Sequence, residues 1–221
     1  MTYRVAKHSQ LNCVEVWSEG SLRGKDAGRS GQRQQYSMKG WKMEEKIVYF
    51  ETPGKENTPE VLRLVKERAQ ARGVTKVVLA STRGDNAKAA LEAFAGLDMR
   101  LIVIPHQFGF GERQRFPEAL VSELEKKGHR VHFGTMLFHT EDLYGSRVPR
   151  VIATVLRTFC QGIKVCVEIT LIACDGGLVA PGERIIAVAG TGAGADTAVV
   201  ATSAPSTRLA DLRIHEIICK P

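Results

Sequence analysis

The segment at residues 81–87, STRGDNA, has the composition of an anion-binding turn and lies between two apolar runs. The apolar run before it predicts a strand, and the alanine-rich run after it predicts a helix. The start of such a helix leaves backbone N–H groups unpaired, and these groups attract a phosphate together with the positive end of the helix dipole. We expect phosphate contacts from the hydroxyls and N–H groups of Ser81, Thr82, Gly84, Asn86 and Ala87.

Asp85 stands inside this turn and would repel a phosphate that it faced. We therefore assign its carboxylate to capping the helix. The turn lacks the Lys-Ser/Thr pair of a P-loop, and no Walker-type magnesium site is apparent. On pattern alone, a phosphate site and an ordinary capped turn remain equally open.

A second glycine-rich segment, AGTGAGADTA at residues 189–198, follows another apolar run. It does not match G-x-G-x-x-G, and no ribose-binding acid follows, so a dinucleotide site is poorly supported. Glycine at alternate positions indicates backbone that passes close to a ligand, or a tight link between two strands. The expected ligand contacts are Gly190, Thr191, Gly192, Gly194, Asp196 and Thr197.

The loop PHQFGFGERQRF at residues 105–116 combines a histidine, two aromatic residues and two glycines. It could cover a planar ligand through His106, Phe108, Gly109 and Phe110, or pack back onto its own domain. Glu168 stands in an apolar run, so its carboxylate needs a partner: an arginine, a helix N-terminus or a ligand N–H. We expect no metal site and recognise no nucleophile, because the histidines and cysteines lack the required spacing.

Apolar runs alternate with helical patterns from residue 46 to residue 133, which predicts βαβ units and a parallel sheet. The expected strands are 46–50, 76–80, 99–105 and 129–133. The expected helices begin at Thr58, as N-cap before a proline, and end at Gly73, then span 86–95 and 116–127. In the second half, 148–161 predicts a helix, 164–174 fits a strand or, in our preference, a buried helix, and 184–190, 197–202 and 212–219 predict strands.

The basic charge is concentrated near the beginning of the 221-residue chain. Residues 1–42 contain eight Lys/Arg and three Asp/Glu, a balance of +5 out of the total of +7. This polar segment is expected to be a flexible extension or to precede a natural start at Met43; a nucleic-acid arm is the less favoured alternative. The five cysteines fit a reducing compartment, and no run is long enough for a membrane span, so we expect a cytoplasmic protein.

Residues 43–221 resemble the stand-alone proteins classed as pyruvate kinase C-terminal-domain-like. The segments that carry the resemblance are EKIVYFETPGKENTPEVLRL, VVLASTRGDNAKAAL, KVCVEITLIACDGGLV, GADTAVV and EIICKP. The resemblance implies one three-layer α/β/α domain with a mostly parallel sheet, and FMN as bound cofactor. In the kinase, a Ser/Thr-rich turn on this domain receives the phosphate of a sugar bisphosphate, and STRGDNA is similar to it in position and composition.

Two functions therefore remain. The preferred one is an FMN-binding protein, as a flavin-dependent oxidoreductase of unknown substrate or a carrier, with its phosphate at the 81–87 turn. The alternative is a non-catalytic sensor for a phosphorylated metabolite such as a sugar phosphate. A homodimer is a guess from the strand-rich C-terminus. We expect no pyruvate kinase chemistry, because the catalytic barrel needs about 250 residues.

Overall fold

The computed structural model describes residues 44–139 and 145–221, and the expectations for residues 1–42 concern a segment outside them. Glu44–Pro221 groups into one compact unit. The strands are β1 Val48–Tyr49, β2 Lys76–Ala80, β3 Arg100–Ile104, β4 Arg130–Val131, β5 Arg184–Ala189, β6 Thr197–Thr202 and β7 Arg213–Lys220. The α-helices are α1 Thr58–Arg72, α2 Asp85–Ala93, α3 Glu118–Lys126, α4 Val148–Arg157 and α5 Gln161–Asp175.

All seven of these strands form one sheet in the order β1-β7-β6-β5-β2-β3-β4. The pairs β1–β7, β5–β2, β2–β3 and β3–β4 are parallel, whereas β5–β6 and β6–β7 are antiparallel. The expectation of an α/β fold with a mostly parallel sheet is confirmed. Strand β2 lies inside the sheet: β3 and β4 follow it on one side, and β5, β6, β7 and β1 lie on the other side.

Helices cover both faces of the sheet, which gives three layers. Alternate residues of β2 point to opposite faces, as a strand requires: Val77 and Leu79 pack in the core beneath α1, α2 and α3, and Val78 packs beneath α5. Helix α4 lies outside α5, where Ala153 contacts the cluster formed by Val167 and Leu171. Both faces of β2 are fully buried, in agreement with its continuous apolar sequence.

The ambiguous segment at residues 164–174 is helical, as we preferred, and forms most of α5. Apart from Lys164, Glu168 and Thr170, its residues are apolar or cysteine on every side, because the helix is buried between the sheet and α4. The expected helix over 148–161 ends earlier, at Arg157, and α5 begins at Gln161. Cys160 caps α5, since its Sγ accepts a hydrogen bond from the N–H of Ile163 at 3.4 Å.

Two capping assignments made from sequence are wrong. The N-cap residue of α1 is Asn57, and the Thr58 hydroxyl instead accepts a hydrogen bond from the N–H of Ala195 at 2.9 Å. The N-cap residue of α2 is Gly84, so Asp85 is the first helical residue and does not cap it. The predicted end of α1 is confirmed, because Gly73 adopts the left-handed conformation with φ of 62°.

Candidate functional site

A cleft of about 310 Å³ opens where β2, β3 and β5 end. The turn after β2, the residues after β3 and the glycine loop after β5 form three of its sides, and α5 forms the fourth. This is the position where open α/β sheets bind ligands, because the chain leaves neighbouring strands in different directions. The cleft is lined by Ala80, Ser81, Thr82, Arg83, Asp85, Asn86, Ile104, Pro105, His106, Arg115, Met136, His139, Gln161, Val165, Glu168, Ile169, Ile172, Gly190, Gly192, Ala193 and Gly194.

Asn86 joins the turn after β2 to the glycine loop after β5. Its side-chain amide donates to the carbonyl of Ala80 and to the carbonyl of Gly194, each at 3.0 Å. The two acceptors lie on segments that are more than one hundred residues apart in sequence, since Asn86 and Gly194 are separated by 108 positions. Asn86, which we expected to contact a phosphate, uses its side-chain amide to fix the distance between two sides of the cleft.

The hydroxyl of Ser81 is engaged by the start of α2. Its Oγ accepts a hydrogen bond from the N–H of Ala87 at 3.3 Å, and the N–H of Lys88 is bound by the carbonyl of Gly84 at 2.9 Å. Ala87 is fully buried and does not line the cleft. The N–H groups that α2 can present are those of Asp85 and Asn86, because the first residues of a helix have no acceptor within it.

Gly84 faces α3 instead of the cleft. A Cβ at this position would lie 2.6 Å from Leu120 Cδ2 and 3.3 Å from Pro117 Cδ, and its φ is +93°. Glycine is required here because α3 packs against the turn and because the backbone is left-handed. We predicted that Gly84 lets a phosphate approach the backbone closely, but Gly84 packs against α3 and does not line the cleft.

The mouth of the cleft carries charges of both signs. Arg83, Asp85 and Arg115 all line it and are exposed. Asp85 thus borders the space in which we expected a phosphate, contrary to its assignment as a cap. Two guanidinium groups outnumber this one carboxylate, so the mouth still attracts an anion.

The glycine loop is closed tightly on itself and on the turn that leads into α1. A Cβ at Gly190 would lie 2.3 Å from the carbonyl oxygen of Gly194, and one at Gly194 would lie 2.1 Å from the Cα of Lys55. Gly190, Gly192 and Gly194 line the cleft, in agreement with backbone that runs beside a ligand space. The loop needs glycine for its own packing as well.

Asp196 stabilises the glycine loop through hydrogen bonds to its carboxylate. It is fully buried, and its Oδ2 accepts hydrogen bonds from the N–H of Thr191 at 2.9 Å and of Gly54 at 3.2 Å, while its Oδ1 accepts from the Thr197 hydroxyl at 2.7 Å. None of Thr191, Asp196 and Thr197 is among the residues that line the cleft. These three predicted ligand contacts have structural partners instead.

An aromatic wall on the side of the cleft that follows β3 consists of His106, which lines the cleft, and Phe110, which packs on His106 but is not among the lining residues. The rings of His106 and Phe110 meet edge to face at 4.6 Å, and His139 lies 5.8 Å from His106 and 5.9 Å from Phe110 between ring centroids. Phe108 instead packs on Phe133 at 4.8 Å. Gly109 adopts a left-handed turn, with φ of 79°, between the two phenylalanines and does not line the cleft.

A buried ionic cluster, formed by Lys164, Glu168 and His139, lies beneath this wall. Lys164 Nζ is 2.8 Å from Glu168 Oε2, and His139 Nδ1 is 2.7 Å from the same oxygen and 2.6 Å from Nζ. The N–H of Phe138 donates to the other carboxylate oxygen. The lysine side chain is 0% exposed, the glutamate 2% and the histidine 21%, so only His139 has substantial contact with the open space.

The environment shifts the pKa values of three groups in or beside the cleft. Burial lowers the pKa of Lys164, although the charge of Glu168 and its hydrogen bond oppose the change. Burial acts to raise the pKa of Glu168, but the hydrogen bond from His139 and the charge of Lys164 outweigh it, and the net pKa is lowered. Burial, followed by the nearby His139 and Arg115, lowers the pKa of His106, which favours a neutral imidazole at neutral pH.

The sequence analysis singled out Glu168 but did not identify its partner Lys164 or the cleft residues Arg115, His139 and Gln161. Lys164 and Glu168 are four positions apart, so reading 164–174 as a helix already places them on one helix face. Glu168 is bonded by Lys164, His139 and the N–H of Phe138, whereas we had expected an arginine, a helix N-terminus or a ligand N–H. No motif or spacing in the sequence indicates that His139, Arg115 and Gln161 lie on the same cleft.

The comparisons with known proteins give one weak likeness to a solved structure. No protein-family model matches the chain. A solved structure of Cryptosporidium parvum pyruvate kinase in complex with ADP is similar to it at 14% sequence identity and a TM-score of 0.31, over 73% of this chain and 24% of the kinase chain. The chain thus spans about a quarter of that protein, and a likeness this weak carries no information on ligand or activity. In the described residues, no helix has the length and apolar character needed to cross a membrane.

Proposed function

We propose that the protein binds a phosphorylated small molecule in the cleft, with FMN as the leading ligand, and that it is a cytoplasmic flavoprotein of the pyruvate kinase C-terminal-domain-like family. The observation that carries the proposal is the joining of the 81–86 turn to the glycine loop by Asn86, at the ends of β2 and β5. This arrangement builds a fixed, polar, partly cationic space at the position where α/β sheets bind nucleotides.

The phosphate fits the groups around the start of α2. The N–H groups of Asp85 and Asn86, the Thr82 hydroxyl and the guanidinium of Arg83 supply donors, and helix α2 supplies the positive end of its dipole. Arg115 lies on the same cleft and can bind a phosphate through two parallel N–H donors. The carboxylate of Asp85 opposes the binding but does not outweigh these groups.

The ring system fits the other end of the cleft. His106 lines this end with Phe110 packed on its ring, and Ile104, Ile169 and Ile172 add apolar surface. FMN, when bound, would supply the redox chemistry, and this chain's residues would bind the phosphate, orient the ring and exclude water. The cleft volume of about 310 Å³ is at the lower end of the range for ligand pockets, about 300–1,000 Å³.

This small volume also favours a second candidate, a sensor that binds a phosphorylated metabolite without catalysis. A sugar phosphate is smaller than FMN and would use the same phosphate contacts. The aromatic wall is the feature that such a ligand leaves unexplained, and for that reason we place FMN first.

Purification and titration separate the two candidates. The full chain, purified under native conditions, is expected to carry visible flavin absorption and to release FMN on denaturation. If the protein is isolated empty, fluorescence titration with FMN is expected to show saturable quenching. Colourless protein that ignores FMN but is thermally stabilised by sugar phosphates would favour the sensor, since a ligand stabilises the state that it binds.

Charge variants test where the phosphate lies. Arg83→Gln and Arg115→Gln are each expected to weaken FMN binding by about tenfold or more, because a hydrogen bond to a charged group contributes about 1.5–3 kcal/mol. The matched control is Arg63→Gln, whose side chain pairs with Glu60 and Glu67 on α1 and does not line the cleft. Equal affinities for Arg83→Gln, Arg115→Gln and the control would refute the phosphate assignment.

A further inference from the structure

The buried ionic cluster of Lys164, Glu168 and His139 is not explained by the stability of the fold. A buried ion pair often contributes no more stability than a well-packed apolar pair of similar volume, because both charges lose their hydration. Here the lysine is fully buried at 0% exposure and its partner is 1% exposed as a residue. Buried charged groups beside a cleft are typical of sites where protons are moved.

The three distances of the cluster restrict where its protons can lie. Nζ, Nδ1 and Oε2 form a triangle with sides of 2.6, 2.7 and 2.8 Å. Nδ1 cannot donate to Glu168 and accept from Lys164 at once, because it carries either a proton or a lone pair. Two arrangements of the neutral imidazole therefore exist.

In the first arrangement, Lys164 is an ammonium that donates to Oε2 and to Nδ1, and the ring proton is on Nε2. In the second, Lys164 is a neutral amine, Nδ1–H donates to Glu168, and Nε2 has a lone pair. The second arrangement holds one proton fewer than the first. A proton taken up at Nε2, followed by transfer of the Nδ1 proton to Lys164, converts the second arrangement into the first, and the reverse steps release a proton from Nε2.

We propose that His139 is the acid–base residue of the cleft and exchanges a proton through Nε2 with the bound ligand, while Lys164 and Glu168 are positioning residues that hold the resulting charge. Nδ1 is the ring nitrogen nearer to the buried pair, at 2.6 Å from Nζ and 2.7 Å from Oε2, whereas Nε2 lies 3.5 Å from Nζ. Nε2, held only by this longer contact, is therefore the nitrogen that we assign to the ligand. The ligand class is a phosphate monoester whose other end carries a carbonyl group or a ring N–H. This proposal rests on the proposed function, because it places that end of the ligand beside the aromatic wall.

Other charged or titratable groups act on this cluster from each neighbouring element. His106, from the segment after β3, lies 5.8 Å from the His139 ring and is held neutral by its environment. A neutral imidazole can donate an N–H to a ligand carbonyl without repelling a charged His139. Arg115, in the loop before α3, faces His106, and Arg157 of α4 acts on Lys164; both favour loss of a proton by these groups.

Calorimetry in buffers of different ionisation enthalpy measures the protons taken up when a ligand binds. The titrations use the full chain with FMN, and with dihydroxyacetone phosphate as the smaller carbonyl-bearing probe, at about pH 8. A phosphate monoester with a second pKa near 6 is then already a dianion and contributes little itself. The wild type is expected to take up protons, because a bound dianion favours the protonated arrangement.

The variants assign this proton uptake to a residue. His139→Gln is expected to abolish the uptake, and Glu168→Gln and Lys164→Met to change the number of protons, each with thermal unfolding measured to verify folding. His215→Gln, on β7 beside Thr202, is the matched control and should keep the wild-type number. Glutamine has nearly the same shape as glutamate. The proton uptake of Glu168→Gln therefore still tests the proposal if His139→Gln does not fold.

Each outcome decides between the two proposals. Binding of dihydroxyacetone phosphate but not FMN, with uptake lost in His139→Gln, would overturn FMN as ligand and support the acid–base role. Three outcomes would overturn the acid–base role alone, provided that FMN binds. They are the absence of proton uptake in the wild type, an unchanged proton uptake in His139→Gln, and an unchanged proton uptake in Glu168→Gln. Failure of both probes to bind would overturn both.

Discussion

Removal of the buried lysine is expected to destabilise the protein strongly. In Lys164→Met, the carboxylate of Glu168 stays buried, at 2% side-chain exposure, without its nearest cation. Breaking a buried pair from one side costs about 3–5 kcal/mol, because an uncompensated charge remains in a poorly polarisable environment. For a chain of this size, that loss corresponds to a fall in Tm of about 6–20 °C.

The effect has a defined dependence on pH. The lowered pKa of Glu168 means that its ionic interactions stabilise the fold fully above the unfolded carboxyl value, about 4.3, and that this contribution is lost as the pH falls through the lower native value. The penalty of Lys164→Met should therefore be largest at neutral pH. It should shrink in acid, where Glu168 takes up a proton and its charge disappears.

Denaturant unfolding at several pH values, monitored by circular dichroism, measures this penalty. The comparison includes the double variant Lys164→Met/Glu168→Met, which removes both charges and is expected to recover most of the lost stability. A loss below about 1 kcal/mol in Lys164→Met at neutral pH would refute the buried pair, since exposed pairs contribute that little. A double variant as unstable as the single one would show that packing, and not charge, causes the loss.

Three further perturbations test other parts of the structure. Gly194→Ala should unfold at a clearly lower temperature than Gly192→Ala: both have positive φ, which costs about 1–2 kcal/mol, but only the first would place its Cβ against Lys55. Asp85→Asn should tighten FMN binding about fivefold in a fluorescence titration, because it removes about 1 kcal/mol of repulsion at the cleft mouth. Burial and nearby cations lower the pKa of His129, so its neutral form stabilises the fold above about pH 6.5 and this contribution is lost on acidification. His129→Gln should therefore flatten the decline in unfolding midpoint between about pH 7 and 5.

The alternation of apolar runs and helical patterns was sufficient to predict the α/β/α core. The β2 strand was predicted with its observed limits, and the preferred helix at 164–174 was found, because both are buried and their sequences follow from burial. The edge strands β1 and β4 are shorter than the apolar runs that predicted them, at two residues each. An edge strand ends where its hydrogen bonds to the neighbouring strand end, and the local sequence carries no information about that neighbour.

The cleft was predicted only in part, because its polar residues form contacts far apart in sequence. The turn at 81–87 was located correctly, yet Ser81 and Ala87 bind each other and Gly84 serves the packing of α3. His139 meets Lys164 across 25 positions, and no periodic pattern connects a loop residue with a helix residue. Composition can show that a turn is polar, but it cannot show which of its polar groups form hydrogen bonds within the protein and which remain available to a ligand.

That division between scaffold and cleft is the physical basis for placing the chemistry at His139. Asp196 and Asn86 direct their side chains to backbone groups of the loops, so changing them would move the walls of the cleft. Lys164 is fully buried and does not line the cleft, and Glu168 lines it with only 2% of its side chain exposed. His139 is bonded to this buried pair and borders the open cleft, so it alone among the cluster residues can transmit a proton between the two environments.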